Sequence, residues 1–94
     1  MVCSTIVFSD HAISQMFKRD VLVEDVKQVI SKGEVIKEYS NDKPYPSYLM
    51  LHHVNRRPLH LVVAKGDFDK CIIITVYEPS PDIWSTNFKT KIKS

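Results

Sequence analysis

Glycine is scarce in this chain: of 94 residues, only Gly33 and Gly66 lack a side chain. No Gly- or Ser-rich linker, repeat or low-complexity stretch interrupts the sequence, so residues 1–94 are expected to form a single domain. Cysteine is equally scarce. Cys3 and Cys71 have no Cys-x-x-Cys spacing, which excludes a zinc ribbon, a redox pair of that type and a disulfide framework. Cys71 lies in an apolar run and is expected to pack as a small hydrophobe. Long hydrophobic runs are missing too. The longest, Cys71 to Tyr77, is too short for a bilayer, and Met1 to Ser9 lacks the basic, apolar and small-residue succession of a signal peptide. No membrane association is expected, and the cytoplasm is the default location. The net charge of +2 is too small to imply a nucleic-acid partner by itself.

What is present falls into two halves that meet at Gly33. Upstream, Ala12, Ile13, Met16 and Phe17 recur at helical spacing behind a capping Ser9 or Asp10. Val26, Val29 and Ile30 mark a second helix from about Val23 to Lys32, with Glu24 and Asp25 in its first turn. Gly33 is expected to end that helix as a left-handed residue. Downstream, Glu34–Tyr39, Tyr48–Asn55, Pro58–Lys65 and Lys70–Glu78 read as strands, with Thr5 to Phe8 a short extended lead-in. Arg56-Arg57 and Lys65 to Lys70 read as turns. The expectation is an α+β fold: two N-terminal helices packed on one face of a roughly four-stranded antiparallel sheet.

Symmetric hairpins about those turns oppose His53 to His60 and His60 to Thr75, with Tyr77 one step further on the same face. The other face, Leu59, Leu61, Val63, Ile72, Ile74 and Val76, should receive the helices. Two histidines with a hydroxyl and a phenol suit general acid–base chemistry near neutrality, although sheet faces also carry these residue types simply as strand formers. No carboxylate shares the His53–His60 face, so no metal site is expected, and no cofactor is implied. From about Asp82 the chain becomes a basic tail with Trp84, Phe88, Lys89, Lys91 and Lys93. It reads as a solvated terminus, or as a segment that holds a phosphate backbone or docks on a partner. His11, Gln15 and Arg19 line a stripe beside the apolar face of the first helix.

Several short stretches carry a resemblance: His11-Ala12 with Met16 and Arg19, Glu24-Asp25-Val26, Gly33-Glu34-Val35-Ile36, Arg57-Pro58-Leu59-His60-Leu61-Val62-Val63, and Ile74-Thr75-Val76-Tyr77. In this order they resemble the family catalogued as domain of unknown function 4258, from about Phe8 to Trp84. That family is similar to RelE/ParE-type toxins of toxin–antitoxin pairs. The resemblance implies a RelE/ParE-like fold and a metal-independent messenger-RNA endoribonuclease (an mRNA interferase), acting on the ribosome or on free message. It further implies a cognate antitoxin, such as a YgiT-type zinc-finger protein. The alternative is a non-catalytic protein- or RNA-binding module, a degenerate toxin that only engages its small partner. For RNA cleavage, His60 and His53 would be base and acid, Thr75 and Tyr77 would orient the substrate, and His11, Arg19, Arg56, Arg57, Lys89 and Lys91 would contact RNA. A groove joining histidines to arginine would favour the enzyme. A neutral apolar groove along an exposed strand edge would favour docking.

Overall fold

The computed structural model describes residues 1–92, so Lys93 of the basic tail lies outside the described residues. The elements run β1 (Thr5–Phe8), α1 (Asp10–Arg19), α2 (Val23–Lys32), β2 (Glu34–Tyr39), β3 (Ser47–Val54), β4 (Arg57–Lys65) and β5 (Lys70–Tyr77). The architecture is α+β, with α1 against β5 and α2 against β3. The sheet has five strands in the order β1-β5-β4-β3-β2. It is mixed rather than wholly antiparallel, because β1 pairs parallel with β5. The short lead-in thus becomes an edge strand.

Local chemistry explains both helix starts. The Ser9 hydroxyl accepts the Ala12 N–H at 3.0 Å, satisfying one of the free donors of α1. For α2, Leu22 offers no capping oxygen, but its own N–H donates to Asp25 Oδ2 at 2.9 Å, half of a capping box. Gly33 is not left-handed as expected; its φ is −75°. Its requirement is space, since a Cβ there would collide with the Val29 carbonyl oxygen.

The expected strand register is corrected twice. In the β3–β4 hairpin the turn residues are Asn55 and Arg56, both with positive φ, the arrangement that matches strand twist in a two-residue hairpin. His53 therefore opposes Pro58, and His60 opposes Leu51. In β4–β5, the turn is longer and Lys65 opposes Cys71, then a bulge between Val62 and Val63 leaves Ile74 unpaired. Below the bulge the faces are exchanged relative to expectation: Cys71 and Ile73 are fully buried, whereas Ile72 and Ile74 are not. Above it a second single-residue offset restores the faces, so Val76 points to the helices. Thr75 opposes Val62 and Tyr77 opposes His60. Each one-residue offset moves side chains to the other face, and two cancel.

The inner face, with Met50, Leu61, Val63, Ile73 and Val76, packs on Ala12, Met16, Val26 and Val29 as one apolar core. At its edge Cys3 and Cys71 form a disulfide, in place of two separate packed cysteines. Cys3 lies just ahead of β1, which pairs beside β5, and there the Cα atoms of Cys3 and Cys71 stand 5.6 Å apart. A pair separated by 68 positions has no local spacing signal.

Candidate functional site

The part of the sheet's outer face around His60 is covered by the chain's own C-terminal segment. Trp84 bridges to Lys91, and the Ser85 N–H donates to the Thr90 carbonyl at 2.8 Å, closing a small hairpin. Trp84 is buried, so within the described residues the tail is docked on its own sheet rather than solvated.

Under it sits His60, 0% exposed. Its Nε2 lies 2.8 Å from the Phe88 carbonyl oxygen and its Nδ1 3.1 Å from the Tyr77 hydroxyl. A carbonyl can only accept, so Nε2 carries the hydrogen and the Tyr77 O–H donates to a bare Nδ1. The Trp84 ring meets the imidazole edge-on at 4.4 Å between centroids. Burial lowers the His60 pKa, partly offset by the Phe88 bond. Burial raises that of Tyr77, with a smaller contribution from Tyr39. Both groups are therefore neutral near pH 7. Chemically this is a matched donor–acceptor pair in which neither imidazole nitrogen is left free.

The other expected site residues share the face but not the contact. Thr75 is half-buried beside Val62, and His53 is exposed, its ring against that of Phe88 at 6.1 Å. The basic residues are distributed rather than gathered. His11 and Arg19 are exposed on α1, and Arg56 is exposed in the β3–β4 turn. Arg57 donates to the carbonyls of Arg19 and Asp20 at 3.0 and 3.2 Å and pairs with Glu78 at 3.4 Å, so it closes the C-terminus of α1. Lys91 lies over the Trp84 ring, and Lys89 pairs with Glu34 at 3.0 Å.

Two concavities are chemically distinct. One, of about 430 Å³, is polar and lined by Lys32, Glu34, His52, His53, Asn87 and Lys89, among others. It brings together His53 and Lys89 from the expected set. His52, Lys32 and Asn87 were missed, because alternation assigns His52 to the opposite face. Here β2 begins opposite Leu51, so β3 has no neighbour on that side beyond it, and a notch forms that both histidines reach. The other groove, of about 580 Å³, is apolar and runs along Phe8, Ile13, Met16, Phe17, Val21 and Leu22. It adjoins β1, an edge strand. No periodicity argument could have found it, since Ile13 and Phe17 read equally well as core. Among the described residues no three His, Cys, Asp or Glu side chains converge as a metal site, and no helix is long and apolar enough to cross a membrane.

Comparison with known proteins adds one match: the family described as Domain of unknown function (DUF4258), over residues 8–78. No curated protein and no solved structure matches the chain.

Proposed function

This chain belongs to the DUF4258 family, and from that premise we propose that it is the toxin-type component of a toxin–antitoxin pair. It works by engaging a small protein partner, the antitoxin, through the apolar groove beside β1. The toxin half of this reading rests on the resemblance to RelE/ParE-type proteins; the docking half rests on Phe17. Its ring is 90% exposed on α1, next to Leu22 at 62% and Ile13 at 53%. Fully burying one such side chain is worth about 1.5–3 kcal/mol, so three together at a groove are a ready source of binding energy. An amphipathic helix of the partner, with apolar anchors at successive turns, matches a groove of this kind. The test is co-purification with the product of the neighbouring gene, comparing the natural chain with Phe17→Asp. The expected result is a complex lost in Phe17→Asp while the chain stays folded. Retention of the complex in that variant overturns the reading.

One observation favours metal-independent RNA cleavage as a second activity: His53 is exposed in the polar notch beside Lys89 and Lys32. There the RNA 2′-hydroxyl would attack the adjacent phosphorus as His53 takes its proton. The 5′-oxygen would leave with a proton returned by His52, and the lysines would hold the phosphate. His60 lies too deep under Trp84 to touch RNA while the hairpin is closed. Expression without the neighbouring gene should slow growth and fragment total RNA, and His53→Ala should abolish both effects. Intact RNA with soluble, folded protein eliminates this activity.

A further inference from the structure

We infer that the polar notch at the open end of β3 is a binding site for a phosphate group carried on a nucleoside. The site stands whether or not a bond is ever cut there, and it does not involve the apolar groove.

The donor inventory is one-sided. Lys32 closes α2 on one wall and Lys89 approaches from the C-terminal hairpin on the other. His52 and His53 contribute ring N–H groups from β3. Asn87 is fixed as a donor: its Oδ1 already accepts from the Ser85 hydroxyl at 2.6 Å and the Lys89 N–H at 3.0 Å. Only its amide N–H groups remain free to meet a ligand. The acceptor opposing this set is Glu34, whose carboxylate holds Lys89 at 3.0 Å. Glu34 thus occupies the place of an anion, and an incoming phosphate with more oxygens and more charge competes for the same ammonium.

Size and shape choose the carrier. A volume of about 430 Å³ is far larger than a bare oxyanion needs and falls in the range of small-molecule sites. The flat surface in the lining is the exposed His53 ring, backed by the Phe88 ring at 6.1 Å, and a base can stack on it. Phosphate against Lys32, Lys89 and Asn87 with a base on the His53 ring uses both halves.

The test is an NMR titration of the full chain with adenosine 5′-monophosphate and, separately, inorganic phosphate. Saturable shifts are expected at Leu51, His52, His53, Asn87 and Lys89, with the nucleotide binding more tightly than phosphate. Lys32→Ala should weaken binding about tenfold, the loss of one charge-assisted contact. Glu34→Gln, which frees Lys89, should tighten it about threefold. Non-saturating shifts, shifts spread equally to His11 and Arg19, or constants unmoved by both substitutions overturn the site. Equal affinity for phosphate and nucleotide overturns the nucleoside half and leaves a free-anion site.

Discussion

The two faces of the sheet are covered by different physics. On the inner face, α1 and α2 bury a continuous apolar surface, and Ala12, Val26, Leu61 and Ile73 meet without a polar atom to satisfy. On the outer face, a short hairpin is held on one polar nucleus, His60, by the bond to the Phe88 carbonyl and a tryptophan contact, while Tyr77 of β5 satisfies the other ring nitrogen. Apolar burial is insensitive to direction and to pH. A neutral imidazole bonded at both nitrogens depends on both. The inner face should therefore set global stability, and the outer face should be the one that conditions can open.

The largest effect tests the inner face. Leu61→Ala, at a fully buried position, should cost about 2–5 kcal/mol in denaturant unfolding. A cost below that of any outer-face change would invert the comparison. The disulfide comes next. Reducing Cys3–Cys71, which spans 68 positions, should remove about 2–4 kcal/mol by enlarging the unfolded ensemble. An unfolding curve indifferent to a dithiol would show that the bridge adds nothing to the core it borders. Because a reducing cytoplasm keeps such pairs as thiols, the thiol state of protein recovered from cells also reports its compartment.

The outer face predicts a smaller, pH-dependent effect. The His60 pKa is lowered from the model-compound value of 6.5. As pH falls through 6.5 the unfolded chain takes up a proton that the folded chain still refuses, so stability declines below that point and is unaffected above it. Protonation at Nδ1 would also set N–H against the Tyr77 O–H and turn that bond away. Trp84 is the one tryptophan in the chain, so its emission should shift to the red on acidification before helical circular dichroism is lost. Simultaneous loss of both signals would mean that the two faces open together. His60→Gln should flatten this pH dependence while costing about 1–3 kcal/mol at neutral pH.

Much of the inner face was legible in the sequence because periodicity is a statement about one buried surface. The spacing of Val26, Val29 and Ile30 and the alternation of Leu59, Leu61 and Val63 each matched their packing. Where two surfaces or distant segments decide, the sequence was silent. Nothing local marks Ile74 as the residue a bulge sets aside, or pairs Cys3 with Cys71. The outer-face grouping of His53, His60, Thr75 and Tyr77 survived only because the β3–β4 register shifts by two residues and the two single offsets in β4–β5 cancel. The coverage of His60 depended on a tail whose composition resembles a solvated terminus.

The bulge at Ile74 does more than shift a register. Ser9 donates its N–H to the Ile73 carbonyl at 3.0 Å and its hydroxyl to the Ile74 carbonyl at 3.0 Å, while that same hydroxyl caps α1. On a regular strand successive carbonyls point to opposite edges, so no single residue could serve both; the irregularity of β5 makes the double bond possible. Helix initiation and strand distortion thus share one serine, and the two are expected to be thermodynamically coupled. Ser9→Ala should cost about 1 kcal/mol, and deletion of Ile74, which the pairing ladder does not require, should cost little more once Ser9 is already gone. A double-mutant cycle returning simple additivity would mean that the helix and the bulge form independently.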